Sequence, residues 1–511
     1  MNIKKLAQSA GLQEQIMREL RLFSYMLQNG DIHRLDKAGL IGDLSAEIEG
    51  GLIPRNKFCG GHYCLNSMEI IDALESLDER EIKFAPEFSR SSIEANLVTP
   101  LEFPGLNGTS SAFHRLYVKQ AKMLRMILQE AERQDAVFLR VGLLGTVPRE
   151  DLSRGLDIIS SAVRYKLFYE RLSQRHGSYE LNLPLRCGGE TLINIPASPV
   201  AAGTTNSYQA CIGFNPNQFG QAANLMIATS WLRTLIAASS PFAFGEICAH
   251  CTRALVWSPG MDPTLQLSPF GPGSYFQENG RNVFNEWLQI VAQQEEVLPY
   301  DNPEANKNRS GMFAGLSLLM GTYWVWSGRL RFGLQDSMLD LYYEDRSPDT
   351  GLTIMDDVAN TAVCLGYIAY CIKHGIDARG LTNYREAERC VDLVARHGLS
   401  EKAEHYVTWR GRKLSVMEVL LDDYLPNALA GLQDYGFADC LAEKLVGVVT
   451  RRIEKKLTAS DWLVGLYQKL ERMSPATPPL EIIREVYLRT AEMQNRQSDT
   501  MDFVGIADIE F

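Results

Sequence analysis

In the segment SAEIEGGLI (45–53), Glu47 and Glu49 stand two positions apart, with Ile48 between them and Ala46 just before. On a β-strand successive side chains point to opposite faces, so both carboxylates share one face and the small apolar residues take the other. Strands disfavour glutamate, and two like charges on one strand face repel unless a cation or a guanidinium neutralises them. From spacing alone, the plain reading is an edge strand with a solvated acidic face. The pattern recurs, however. In SSIEANLV (91–98), Ile93, Ala95 and Leu97 share one face while Glu94 and Asn96 share the other, and in LDLYYEDR (339–346) Tyr342, Glu344 and Arg346 fall together.

Three strands that each bring a carboxylate to a half-apolar sheet could converge on a hard cation. Magnesium takes oxygen ligands and completes its shell with water and substrate phosphates, which favours nucleotide-dependent phosphoryl chemistry over simple hydrolysis. An acidic balance is compatible with that, because the metal bridges carboxylate to phosphate.

The bulk numbers narrow the field. A chain of 511 residues predicts roughly three units of ~150 residues. Its net charge of -11, with no extended Lys/Arg block, argues against a nucleic-acid interface. The N-terminus lacks the uninterrupted apolar core of a signal peptide, and no run reaches the ~18 apolar residues of a membrane helix. Ten cysteines scattered through so long a chain read as reduced thiols, so the expected location is the cytoplasm, with no membrane partner.

Along the chain, residues 1–40 read as a helical extension, with Leu12, Ile16, Met17, Leu20, Phe23 and Leu27 at helical spacing before Gly30. Residues 41–349 mix alternating segments, including SYQACIGF (207–214), with helical patterns over 112–134, 149–174 and 218–239. Strands separated by such insertions predict an α+β domain with an antiparallel or mixed sheet flanked by helices. The Gly/Pro/Ser/Asn-rich stretches 181–206 and 258–281 read as loops. Residues 350–511 read as an almost wholly helical C-terminal region.

These segments, in this order, resemble the glutamate–cysteine ligase family of the bacterial and plant type and its carboxylate–amine ligase relatives, whose catalytic fold is glutamine-synthetase-like. SAEIEGGLI is similar to the family's opening acidic strand, and PEFSRSSIEANL (86–97) to the segment carrying its next glutamate. GTVPRE (145–150) and RYKL (164–167) resemble its link and following helix, and SYQACIGF its central strand. LRTLIAASSPFAFGE (232–246), TRALVW (252–257) and YEDRSPD (343–349) complete the series. The tail, including TASDW (458–462), resembles the relatives only loosely.

The resemblance implies an ATP- and magnesium-dependent ligase that joins the side-chain carboxylate of glutamate, or a similar acid, to an amine such as cysteine through an acyl phosphate. It implies Glu47, Glu49, Glu94 and Glu344 as metal ligands or their neighbours. Glu94, Arg253 and Arg346 would take part in catalysis, Gln209, Cys211 and Arg253 would contact substrate, and Arg346 would contact the nucleotide. Arginine suits these tasks because its planar fork binds oxyanions at two points. The partners implied are small molecules, with room for a homo-oligomer. Cys211 and Gly213 stand where glutamine-type relatives carry asparagine and aspartate, and the 245–253 loop is one residue short. The acceptor amine therefore stays open, as do a phosphotransferase and a non-catalytic protein on the same fold.

Two further groupings compete for attention. CGGHYC (59–64) and CAHC (248–251) could together supply the four ligands of a zinc site, at spacings unlike a finger or ribbon, and the second falls in the shortened loop. The glycines of GPG (271–273) read as a turn, and the aromatics of YWVW (323–326) as core packing.

Overall fold

A computed structural model of the chain describes residues 3–33, 39–56, 61–77, 79–102, 110–176, 180–185, 191–196, 198–261, 287, 312–320, 325–399, 405–500 and 504–509. Up to residue 345 its strands are β1 (Ile41–Pro54), β2 (Ile82–Pro86), β3 (Ser92–Leu97), β4 (Leu101–Glu102), β5 (Ala136–Leu139), β6 (Glu180–Pro184), β7 (Leu192–Pro196), β8 (Tyr208–Phe214), β9 (Phe242–Ala243), β10 (Glu246–Ile247), β11 (Arg329–Gln335) and β12 (Met338–Asp345). One eight-stranded sheet runs β11-β12-β8-β1-β3-β2, with β4 and β5 also pairing with β1. Every ladder in it is antiparallel. The fold is thus α+β, as the alternating segments predict.

The sheet has two unlike faces because its strands alternate. Leu44, Ala46 and Ile48 of β1, Ile93 and Ala95 of β3, and Tyr208, Ala210 and Ile212 of β8 are buried on one side. Helix Ser110–Arg133 packs there, and its Gln120 Nε2 donates to the Tyr208 hydroxyl at 2.8 Å. Helix Ser230–Ile236 adds a buried ion pair, Arg233 Nε to Asp345 Oδ2 at 2.6 Å. The Gly50–Gly51 pair lets the chain pass between neighbours: a Cβ on Gly50 would lie 2.3 Å from Phe138 Cζ, and one on Gly51 2.9 Å from Leu144 Cδ1.

Several expectations are corrected. The helix expected over 149–174 is broken. A 3-10 segment, Arg149–Asp157, kinks at Gly155 (φ 56°), an extended stretch follows, and helix Val163–His176 begins only then. The extended stretch exists because it pairs with the chain after β2, through Arg90 N to Ile158 O at 2.8 Å and Ser160 N to Phe88 O at 2.9 Å. The pattern over 218–239 forms two helices, Phe219–Ala228 and Ser230–Ile236, parted at Thr229. The stretch 181–206 is not a plain loop: it holds the β6–β7 hairpin and a short helix, Pro199–Gly203. Most of 258–281, GPG included, lies outside the described residues.

The first helix, Ile3–Asn29, buries Ile16, Leu20, Phe23 and Leu27, but Met17 is 48% exposed. Past Asp345 the chain is mainly helical, interrupted by a hairpin, Val407–Trp409 with Arg412–Leu414, and a π-helical turn, Val419–Tyr424. One hydrophobic core runs from Ile16 to Ile453 and joins the first helix and the helices up to that point to the sheet; a second cluster packs Leu463 and Tyr487 of the last two long helices against Ile53 and Leu139. No helix among the described residues is long and apolar enough to cross a membrane.

Candidate active site

Residues directly opposite in an antiparallel pair project to the same face. Across β3 and β1, Glu94 faces Glu49 and Asn96 faces Glu47. Across β1 and β8, Glu47 faces Gln209 and Ser45 faces Cys211. Cys211 then faces Glu344 on β12, which faces Arg329 on β11. Register alone therefore puts Glu47, Glu49, Glu94, Gln209, Cys211 and Glu344 on the polar face.

The acidic end is tight. Carboxylate oxygens of Glu47, Glu49 and Glu87 all lie within 4.8 Å of one another. Gln209 Nε2 donates to Glu47 Oε1 at 2.8 Å, Glu49 Oε1 at 2.6 Å and Ser207 Oγ at 3.0 Å. Ser207 Oγ donates to the second oxygen of Glu49 at 2.9 Å. Asn96 Nδ2 donates to Glu94 Oε1. Burial, then Glu94 and Glu49, push the Glu47 carboxyl well above the usual range. Burial and the same kind of crowding, from Glu49 and Glu94, do so for Glu87. Burial also raises Glu49, while Arg253 pulls it back. Carboxylates gathered like this hold protons in the absence of a cation, and a hard dication bound by their oxygens would displace them.

Glu87 was not picked out from the sequence, although it lies within PEFSRSSIEANL. It sits one residue beyond β2, where the alternation argument stops. Its place is set by the pairing of Phe88 and Arg90 with residues 158–160, and by Tyr165, whose hydroxyl donates to Pro86 O at 2.9 Å.

The other end is basic. Glu344 is 1% exposed and receives Arg329 Nε at 2.6 Å, Arg331 Nη1, and Arg346 Nη1 at 3.3 Å. Burial alone would raise this carboxyl; the three guanidiniums outweigh it and hold it well below the usual carboxylate range. Three cations on one carboxylate leave surplus positive charge, which suits an incoming oxyanion. Arg329 and Arg331 were also missed, though in RLRFGLQ they stand two apart, the same period that marks the glutamates.

Arg253 enters from helix Thr252–Met261. Its Nη2 donates to Arg346 O at 2.9 Å, its Nη1 lies 3.6 Å from Asp349, and its guanidinium lies 4.6 Å from the Trp326 ring. Arg346 lies 5.2 Å over Trp257. Stacking of this kind fixes the plane of each fork. Of YWVW, Val325 and Trp326 are buried as core, while Tyr323 and Trp324 lie outside the described residues. Cys211 lies between the two ends; burial, only partly offset by Arg331, pushes its thiol up to about 12.

The CAHC residues do not converge on one point. Cys248 Sγ lies 3.9 Å from Ala243 O, Cys251 Sγ 3.4 Å from Asp349 Oδ1, and His250 Nε2 3.0 Å from Thr458 Oγ1. Of CGGHYC, Cys59 lies outside the described residues, and His62 faces Glu481 at 3.6 Å.

No protein-family model matches the chain, and no curated protein matches its sequence. Among solved structures, a glutamate–cysteine ligase from Francisella tularensis in complex with AMP is similar over 89% of this chain and 89% of that one, with a TM-score of 0.56 and 13% identity. The complex of the prokaryotic ubiquitin-like protein Pup with its ligase PafA matches at a TM-score of 0.43 and 8% identity, over 91% of this chain and 78% of that one. The chain has the fold of the former, a curled antiparallel sheet flanked by helices.

Proposed function

We propose that this protein is an ATP- and magnesium-dependent ligase that forms an amide between the side-chain carboxylate of glutamate, or a similar acid, and an amine such as cysteine. The observation that carries the reading is the division of one sheet face into a carboxylate cluster around Glu47 and a guanidinium cluster around Glu344. Phosphoryl transfer to a carboxylate needs both, because the protein's part is positioning and charge neutralisation. The fold shared with a glutamate–cysteine ligase that binds AMP supports the same reading.

Glu47, Glu49 and Glu87 would hold magnesium, with Glu94 and Glu344 beside them. Magnesium, when bound, supplies charge neutralisation between phosphate oxygens. Arg253 and Arg346 would hold the phosphates or the acid's carboxylate, with Arg329 and Arg331 adding positive charge on the same side. Gln209 would reorient its amide once its two carboxylate partners are occupied. At its raised pKa, Cys211 is a neutral thiol near pH 7, so it would contact substrate without acting as a nucleophile. The acid's carboxylate would take the γ-phosphoryl group of ATP, with ADP leaving; the amine would then attack the acyl carbon of this acyl phosphate, forming the amide as inorganic phosphate leaves and the amine gives up a proton.

Cys211, Cys248, Cys251, Cys364, Cys371, Cys390 and Cys440 are thiols, which supports action in the reducing cytoplasm. The test is phosphate release from magnesium–ATP with glutamate, with and without a panel of amines that includes cysteine, run beside Glu47→Gln. Release that needs glutamate and one amine, and is lost in the variant, is the expected result. Release that needs no amine would indicate phosphotransfer without ligation. Nucleotide binding with no turnover on any pairing would end the ligase reading.

A further inference from the structure

The TASDW segment closes on the loop that delivers Arg253. Thr458 caps helix Ala459–Met473: its Oγ1 accepts Asp461 N at 3.3 Å, and Thr458 N donates to Asp461 Oδ2 at 2.9 Å. The Thr458 hydroxyl also donates to Asp461 Oδ2 at 2.8 Å. With that proton committed, His250 Nε2 is the donor in its 3.0 Å contact with Thr458 Oγ1. Ser460 Oγ donates to His250 O at 2.5 Å, and Ser460 N to Ala238 O at 2.9 Å. The imidazole is 2% exposed and lies against Gly398, where a Cβ would come within 2.5 Å of Nδ1.

From His250 the ties continue one residue at a time. Cys251 N donates to Ala395 O at 2.8 Å, Thr252 N to Ser240 O at 3.0 Å, and Arg253 N to Ser240 Oγ at 3.1 Å. The backbone from His250 to Arg253 is thus held at Ala395 and, twice in succession, at Ser240. The guanidinium at the end of this series donates through Nη2 to Arg346 O at 2.9 Å, and Arg346 Nη1 reaches Glu344 at 3.3 Å, so its placement is felt at the basic end of the site.

We propose that His250 is a positioning residue for Arg253: its bond to the Thr458 cap sets the helix start from which Arg253 reaches the site, and the C-terminal helix thereby takes part in binding. This rests on the reading of the site as a centre for magnesium and phosphate. A residue that only held the helix to the body of the protein would change melting temperature and leave ligand affinity alone.

The experiment is a double-mutant cycle on the full-length protein, with magnesium–ATP binding followed by calorimetry and folding followed by thermal melting. Wild type, His250→Ala, Arg253→Lys and the double variant form the cycle; Arg253→Lys keeps a cation beside Asp349. The expected result is that His250→Ala weakens binding about tenfold in the wild-type background and much less in the Arg253→Lys background, the non-additivity of coupled residues. His250→Gln, whose amide nitrogen can still donate to Thr458, restores binding to within about twofold. If His250→Ala does not fold, Thr458→Val carries the same test, since it removes the hydroxyl and leaves the ring in place. Equal losses in both backgrounds, or a lower melting temperature with unchanged affinity, would overturn the proposal. A wild-type protein that binds no magnesium–ATP removes the reading of the site, and this inference with it, a result distinct from an additive cycle.

Discussion

Glu49 on β1 lies directly opposite Glu94 on β3, so two carboxylates share one cross-strand position on the polar face. Like charges placed so are destabilising, and the arrangement persists here at the centre of a sheet. A bound cation would turn that repulsion into ligation.

The first prediction follows from protonation. Glu47 and Glu87 have raised pKa values in the fold, while their unfolded values are near ~4.3. The native state therefore holds more protons than the unfolded state above that pH, and stability from these groups falls as pH rises towards their folded pKa values. Glu344 runs the other way: its folded pKa is lowered, so its contribution is present above the unfolded value and lost in acid. The difference in melting temperature between Glu47→Gln and wild type isolates the first effect. It should grow in the variant's favour as pH rises from about 4 to 7 without magnesium, and shrink when magnesium is added. A difference that is flat with pH would count against a strained carboxylate cluster.

Removing a ligand should cost more than removing its support. Changes to groups that merely support a metal's ligands cost about 10–100-fold in affinity or activity, so Glu47→Gln and Glu87→Gln should each lower magnesium-dependent phosphate release by about 100-fold or more. Titration with manganese as a reporter ion would show whether affinity falls in parallel. Full activity in Glu87→Gln would exclude it from the metal set.

Arg253→Lys keeps the charge but loses the planar fork and its stacking on Trp326. Binding of the oxyanion that Arg253 is proposed to hold should weaken about tenfold, with a small change in melting temperature. Saturation curves for ATP and for the acid, measured separately, identify that oxyanion.

The Arg233–Asp345 pair beneath the sheet offers a stability test away from the polar face. Arg233→Leu strands a buried carboxylate and should cost about 3–5 kcal/mol in urea unfolding. Adding Asp345→Asn should recover part of the loss. A single variant as stable as wild type would mean that water reaches Asp345.

Gly50 tests the close approach on β1. Gly50→Ala sets a methyl group 2.3 Å from Phe138 Cζ and should cost about 1–3 kcal/mol. Gly333→Ala on β11, with nothing within 4 Å, is the matched control and should be neutral or mildly stabilising. Equal effects at the two positions would trace the cost to β1 backbone preference instead of Phe138.

The parts of the site that could be read from the sequence are those where local alternation and final register agree. SAEIEGGLI, SSIEANLV and YYEDR each show a period of two, and the sheet keeps it, so Glu47, Glu49, Glu94 and Glu344 share a face. Glu87 was not legible because it lies past the end of β2, in a turn whose direction is set by pairing with residues 158–160. The same pairing broke the helix expected over 149–174, where Gly155 was the only local sign. Arg329 and Arg331 carried a readable alternation, but two arginines on a strand otherwise look like a solvated edge. The His250–Thr458 contact joins positions 208 apart and leaves no trace in either segment.

The strand order places β1, the first strand among the described residues, in the middle of the sheet, and its partner Gln209 lies 162 positions from Glu47. At the usual pace of synthesis that separation is on the order of 10–30 s during which β1 has left the ribosome without its central neighbour. An unpaired apolar strand is a template for pairing with other chains, and inward-pointing charge is one of the devices that blunt it. Glu47 and Glu49 supply that charge before any ligand site exists. The residues proposed here to hold the metal would therefore also guard the nascent chain, and neutral replacements at these positions should lower soluble yield during expression even where the purified variant folds.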